Sequence, residues 1–251
     1  MKSTSESGNR SDGAIPSQLT VLFEDDHLVA IDKPPGLLVH RSKIDARATT
    51  YALQQTRDQL GYRVWPIHRL DKPTSGILLF ARSPELARQA SDLFAERTVE
   101  KTYTAIVRGW TDPEGRIDYA LKEIRDRTTD GKVRPDKPAQ DAVTAWTTVA
   151  TCQVDHPVGR YPTARYARIE VRPETGRKNQ IRRHFKHIFH PVIGDRKFGD
   201  RAHNAFFRNE LGVERMLLAA TGLKFEHPVN GSPVHITAPS RFPAAVDALF
   251  Q

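Results

Sequence analysis

Three short strings in this 251-residue chain hold side chains whose types and spacing could do chemistry. The first is His68-Arg69-Leu70-Asp71-Lys72-Pro73-Thr74-Ser75-Gly76, which runs into the apolar stretch Ile77–Phe80. Pro, Thr, Ser and Gly make a turn, and cations on either side of Asp71 favour its ionised form. A carboxylate held in this way suits a nucleophile or base acting on a polyanion, although an Asp that only caps the turn would read the same. The second string, Lys101-Thr102-Tyr103-Thr104-Ala105-Ile106-Val107-Arg108-Gly109, alternates as a strand and puts Tyr103, Ala105 and Val107 on one face. Tyr103 fits a core aromatic with a hydrogen-bonded hydroxyl as well as a stacking surface. The third spans Pro173 to His184 and continues to Lys186; Arg177, Lys178, Arg182, Arg183 and Lys186 give a local charge of +5 with no acid. Such a run is either a solvated helix face or, following the Thr175-Gly176 turn, a helix start whose free N–H groups bind an anion.

The elements that must position these strings can be read from apolar spacing and turn residues. Leu19–Glu24 and His27–Asp32 read as strands around Asp25-Asp26, and Lys33-Pro34-Pro35-Gly36 as a tight turn. Thr49–Leu60 is a helix ending at Gly61, and Ser83-Pro84-Glu85 starts another with Leu86, Ala90, Leu93 and Phe94 on its buried face. Tyr103–Val107, Ala142–Ala150 and Arg165–Val171 are strands, and Lys122–Gln140 is a charged exposed loop. A helix runs from about Asn179 to Phe189; Met216–Leu218, Leu223–Phe225 and Val234–Thr237 are closing strands, and Pro243–Phe250 a terminal helix. Strands outnumber helices and often follow one another directly. The fold class is therefore α+β, one domain on a mixed, mostly antiparallel sheet flanked by helices.

Composition narrows the partners. The formal charge is +8 with 38% apolar residues, which points to a polyanion without choosing among RNA, DNA and an anionic membrane. No apolar run is long enough to cross a bilayer, and the polar opening residues lack a signal peptide's apolar middle, so a cytoplasmic protein with a disordered tail over 1–18 is expected. Cys152 is the only cysteine, which excludes an internal disulfide and a Cys-based zinc site. Ten histidines form no ligand pattern, so no metal is expected.

The three strings together resemble the RluA-type pseudouridine synthases, and they occur in that family's order. HRLD with TSG is similar to the family's first signature, K-x-Y-x-A-x-V-x-G to its second, and TGR-x-x-QIR-x-H to its third. The resemblance covers roughly Leu19 to Ser240, and by it 19–251 form a pseudouridine synthase catalytic domain without an S4 domain. It implies Asp71 as the catalytic carboxylate, Arg182 as its partner, Tyr103 stacked on the target base and Ile181 beside it. Arg69 would enter the RNA stack in place of the flipped base. His68, Arg177, Lys178, Arg183 and Lys186 complete the expected RNA contacts. The Lys33-Pro34-Pro35-Gly36 turn matches a family element that shapes the cleft, and Lys33 itself is not expected to be catalytic.

His40-Arg41-Ser42, Thr56-Arg57-Asp58-Gln59 and Val158–Thr163 with Arg165-Tyr166 are similar to the tRNA-modifying TruC branch, which implies uridine 65 of tRNA as target. One departure stands out. In Leu217-Leu218-Ala219-Ala220, Ala219 stands where the family usually has histidine, so a local packing or polar change is expected. The implied reaction, uridine to pseudouridine, needs no cofactor, and the enzyme is expected to act as a monomer. Whether Asp71 abstracts a proton at C2′ or attacks C1′ is open at this level. Rival readings are a ribosomal RNA target, a non-catalytic RNA-binding protein, and a hydrolase, which would normally need a second acid.

Overall fold

Strands form where the apolar runs lie, and in the computed structural model, which describes residues 15–41, 49–124 and 138–251, ten of them join one sheet. They are β1 (Thr20–Glu24), β2 (Leu28–Lys33), β3 (Trp65–Pro66), β4 (Ser75–Ala81), β5 (Glu100–Arg108), β6 (Glu114–Asp118), β7 (Val143–Val154), β8 (Ala164–Pro173), β9 (Leu218–Glu226) and β10 (Pro233–Thr237). The order is β1-β2-β4-β9-β5-β8-β7-β6, with β3 beside β4 and β10 beside β9. Every pair is antiparallel except β4 with β9, where Ser75 faces Ala219 and Gly76 faces Ala220. The sheet is thus mixed and mostly antiparallel, as expected from the sequence. β2 and β4 are buried along their whole length, which explains why both read as continuous apolar runs rather than alternating ones.

Helices cover both faces. α2 (Pro84–Ala95) puts Leu86, Ala87 and Ala90 against Leu28, Ala30, Ile77 and Leu79, while α1 (Ala52–Leu60) packs on the opposite face with Val29, Ile31, Leu78 and Phe80. α3 (Gln180–His187) lies over Ala105, Val107, Ala167, Ile169 and Val171. α4 (Arg201–Leu211) and α5 (Ala244–Asp247) share a cluster with Ile106 and Tyr166 behind them. Ser83 caps α2 as its sequence suggests, its Oγ accepting from the Leu86 N–H at 3.1 Å. No helix of the described residues is long and apolar enough to cross a membrane.

The structure corrects several boundaries. In place of the separate strands expected at Met216–Leu218 and Leu223–Phe225 there is one strand, β9, which starts at Leu218 and leaves Met216 and Leu217 outside, because pairing on both sides overrides the weak strand preference of Ala219-Ala220-Thr221-Gly222. α1 begins three residues later than expected; the first amides, of Ala52 and Leu53, donate to the Leu38 and Val39 carbonyls, so an extended segment caps the helix. α4 and β6 were not foreseen. Asp200 caps α4, accepting from the Ala202 and His203 N–H groups at 2.9 and 3.2 Å, and Gly212 closes it. Those caps are readable, but Phe206 and Phe207 are adjacent and make no clear helical stripe. The C-terminal helix is split into α5 and a 3₁₀ turn, Ala248–Phe250. The middle of the expected 122–140 loop, most of the expected tail and Ser42 lie outside the described residues; Leu121 and Gln140 pair across the ends of the loop.

Candidate active site

The turn leading into β4 carries Asp71, and the Thr74 N–H closes it on the Asp71 carbonyl at 3.0 Å. Lys33, at the end of β2, braces this turn from beneath. Its fully buried Nζ donates to the carbonyls of Pro34 and Leu37, each at 2.9 Å, and of Lys72 at 3.2 Å. Gly36 N–H reaches the same Lys72 carbonyl at 2.9 Å, so the Lys-Pro-Pro-Gly turn and the Asp71 turn are tied together. Burial, aided by the charge of Arg215, lowers the Lys33 pKa to about 7, with Asp71 and Asp32 pulling the other way. At Gly76 φ is 101°, and a Cβ there would sit 2.1 Å from the Ala220 carbonyl oxygen. Only glycine lets β4 approach β9 so closely after the turn.

The third string divides its side chains by direction around α3. Gln180 and His184 bolt the helix to β7. Gln180 Nε2 donates to the Val143 carbonyl and the Thr144 hydroxyl, both at 2.9 Å, and His184 Nδ1 lies 2.9 Å from that hydroxyl. Ile181 and Phe185 face the sheet. Arg182 faces the Asp71 turn, with Nη1 3.0 Å from Asp71 Oδ2 and 2.7 Å from Asn179 Oδ1. Its other edge forms a fork with Asp195, Nε to Oδ2 at 2.7 Å and Nη2 to Oδ1 at 2.8 Å. Asp195 is held in turn by the N–H groups of Lys197 and Phe198. Burial alone would raise its pKa, but the Arg182 hydrogen bonds and charge bring it below the usual carboxylate value. Asp195 was missed in the sequence, where Gly194-Asp195 looks like an ordinary turn.

The Asp71–Arg182 pair sits in a cleft of about 420 Å³ whose lining includes Tyr103, Ile181, His68, Arg69 and Arg177. Arg97, Lys101, Thr175 and Phe94 also line it and were not among the site residues expected from the sequence. Asp71 is the only acid among the described lining residues, against Arg69, Arg97, Lys101, Arg177 and Arg182. Burial, with the Asp71 charge nearby, pushes the Tyr103 hydroxyl pKa above its ordinary value. His68 stacks on Phe94 at 4.8 Å and its Nε2 accepts from the Leu79 N–H at 3.1 Å. Burial and the Lys101 charge lower its pKa to about 4, so the ring is neutral and its Nε2 serves β4.

Lys178, Arg183 and Lys186 are not brought into the cleft. Arg183 Nη1 donates to the Lys122 carbonyl at 2.9 Å, and Lys186 is exposed on α3. The N–H of Arg177 donates to Gln180 Oε1 at 2.9 Å, so this turn amide is satisfied internally and is not open to an anion. Ala219, where a local packing or polar change was expected, is fully buried in an apolar cluster. Beside it in register, the Ser75 hydroxyl takes a hydrogen bond from Arg215 Nη2 at 2.5 Å.

A profile described as RNA pseudouridylate synthase matches residues 27–187. Among curated proteins, the chain is similar to tRNA pseudouridine synthase C of Vibrio parahaemolyticus serotype O3:K6, at 49% identity over 213 residues, 85% of this chain and 87% of that one. It is also similar to the protein of that name in Haemophilus ducreyi, at 47% identity over 221 residues, 88% of this chain and 90% of that one. Among solved structures, Human RNA Pseudouridylate Synthase Domain Containing 4 superposes with a TM-score of 0.68 at 25% identity, covering 92% of each chain. Human RNA Pseudouridylate Synthase Domain Containing 1 shares the fold with a TM-score of 0.70 at 23% identity, covering 94% of this chain and 89% of that one.

Proposed function

The chain belongs to the RluA-type RNA pseudouridylate synthase family and is an isomerase converting uridine to pseudouridine; from that premise we propose that its substrate is tRNA, with uridine 65 as the target, and that Asp71, Arg182 and Tyr103 carry the reaction. The observation behind this reading is the Asp71–Arg182 contact at 3.0 Å inside a cleft that Tyr103 lines. The reaction breaks the N1–C1′ bond, turns the uracil, and forms a C5–C1′ bond; the C5 proton leaves and N1 gains one. Asp71 acts at the ribose, while Arg182 holds one of its oxygens in place. Tyr103 gives the flipped uracil a ring to replace its lost neighbours, and its raised pKa keeps the hydroxyl protonated near C5. Ile181 packs beside the base, and Arg69, exposed at the cleft, takes the place it leaves in the RNA stack. Arg97, Lys101 and Arg177 supply positive charge for the flanking phosphates. A hydrolase would normally use a second acid, and the described lining has none beside Asp71. The same reading makes the protein a cytoplasmic monomer.

Mapping pseudouridine in tRNA and ribosomal RNA from cells with and without the protein tests the target; a lost site in ribosomal RNA alone would move the substrate. Asp71→Asn should bind tRNA normally and turn over about 10⁴-fold more slowly, roughly 5–6 kcal/mol of barrier. A variant that keeps a tenth of the wild-type rate would remove Asp71 from the mechanism. With deuterium at C2′, a primary isotope effect marks proton abstraction and its absence marks attack at C1′.

A further inference from the structure

Four large aromatic side chains among the described residues are exposed, and all four lie outside the cleft: Trp110, Tyr119, Tyr161 and Phe189. Phe189 is 83% exposed, in a left-handed conformation with φ 63°, just past the end of α3. Leaving such rings in water forgoes the burial that normally stabilises them. Three of the four have a cation or an imidazole against the ring. The Arg165 guanidinium lies 4.2 Å from the Trp110 ring centroid, and Arg160 lies 5.0 Å from that of Tyr161. The His187 ring stacks on Tyr119 at 3.8 Å.

The Trp110–Arg165 pair, the Tyr119–His187 pair and Phe189 lie on the α3 side of the sheet, whereas Val158, bridged to Tyr161, packs in the cluster on the other side. Arg165 shares its strand face with Ala167, Ile169 and Val171, the residues on which Ile181 and Phe185 of α3 pack. α3 opens at Gln180, beside Arg182 and the cleft, and its far end is fastened to the other end of β5. There Arg108 N–H reaches the Pro191 carbonyl at 3.0 Å, and His190 Nδ1 lies 2.8 Å from the Arg108 carbonyl. Gly109 N–H then donates to the Arg165 carbonyl at 2.6 Å, next to Trp110. A path from Asp71 thus passes Lys186, His187 and Phe189 and ends at Trp110 and Arg165. Arg108, the last residue of β5, comes five residues after Tyr103, roughly 16 Å away at the usual strand rise, and Trp110 lies two residues beyond it. That is beyond the reach of one flipped nucleotide and its neighbours.

We propose that this strip is a second RNA-contact surface, which grips the body of the substrate away from the target uridine. Unpaired bases stack on Phe189 and on the Trp110–Arg165 pair, and Lys186 meets a phosphate. Rings interleaved with cations suit nucleic acid, since every base has a π face and every nucleotide a charge. A protein partner would use the same Trp and Arg, but the strip begins in a helix with no acid from Arg177 to Lys186 and is continuous with the cleft. The inference rests on the RNA reading of that cleft. It also gives a place to Trp110, Arg165 and Phe189, which the chemistry at Asp71 does not use.

The test compares a full-length tRNA transcript with a short hairpin carrying only the target uridine and its stem. Phe189→Ala and the double variant Trp110→Ala/Arg165→Ala should each raise the Kd for full-length tRNA about tenfold, within the range for loss of a stacking platform. The single-turnover rate at saturation and all behaviour on the hairpin should stay as in the wild type. Arg165→Glu, which keeps Trp110, should weaken tRNA in the same way and covers a folding failure of the double variant. Equal Kd values for wild type and all three variants would overturn the proposal. A wild-type dimer that the variants dissolve, with tRNA affinity unchanged, would also overturn it by assigning the strip to a second copy. A wild type that forms no pseudouridine in either RNA would sink the cleft reading instead, while the Kd comparison would still decide the strip.

Discussion

Arg182 serves two carboxylates with one guanidinium, and the two contacts differ. Asp195 takes a two-bond fork in a fully buried setting, whereas Asp71 takes a single bond at the edge of the cleft. Asp71 is the exposed end of the triad. Asp195 therefore positions Arg182 against the outer carboxylate. Asp195→Asn should cost about 3–5 kcal/mol of stability, as expected for breaking a buried ion pair. At saturating tRNA its turnover should fall by about a hundredfold or more, roughly 3 kcal/mol of barrier, with Kd little changed. A melting curve and a single-turnover assay check both halves, and a loss of affinity with normal turnover would contradict the assignment. His68 supplies a pH dependence. Its folded pKa of about 4 lies below the ordinary 6.5, so the unfolded chain binds more protons between those values. This contribution is intact above pH 6.5 and is lost as pH falls towards 4. The drop in melting temperature between pH 7 and pH 5 should be smaller in His68→Phe than in the wild type, even though the variant starts lower. Asp71, Tyr103 and Arg182 could be named because each stands in a compact string; their roles came through the resemblance. Asp195 acts through contacts made only in the folded chain, so nothing local announced it; the Lys33 turn was legible as an element shaping the cleft, but not its grip on the Lys72 carbonyl.

At the level of elements, the splice between β4 and β9 is the demanding step. It has two registered residue pairs, and Gly76 makes one of them at positive φ with the Ala220 carbonyl against the missing Cβ. Gly76→Ala must take up both the left-handed strain, about 1–3 kcal/mol, and a backbone clash. It should lower the melting temperature and abolish turnover, because the Asp71 turn hangs from this strand. Soluble, fully active Gly76→Ala enzyme would show that the splice can yield. Most strands and the helices α1, α2 and α3 were legible from periodicity and caps, as at Ser83 and Gly61. β9 was read as two pieces because its middle is Ala-Ala-Thr-Gly, small residues chosen by the close approach of β4 and β5 rather than by strand preference. α4 escaped notice because its adjacent Phe206 and Phe207 belong to a cluster built from distant strands.

For the molecule as a whole, the +8 charge acts through the salt around it. Association with tRNA should weaken steeply as salt rises, each neutralised phosphate adding about 0.7–0.9 to the slope of log affinity against log salt. Lys186→Ala should lower that slope by about one such contact and leave the chemical step for bound RNA unchanged. An unaltered slope would remove Lys186 from the interface. The place of β9 has a consequence in time. Asp71, Tyr103 and Arg182 all precede it in the chain, yet it lies at the sheet's centre, between the strand that follows Asp71 and the strand that holds Tyr103. A growing polypeptide therefore exposes all three side chains to the solvent before the strand that spaces them has been made. Until Leu218–Glu226 slides in, the motifs exist without a pocket, and a fragment ending before it would carry every signature and modify nothing.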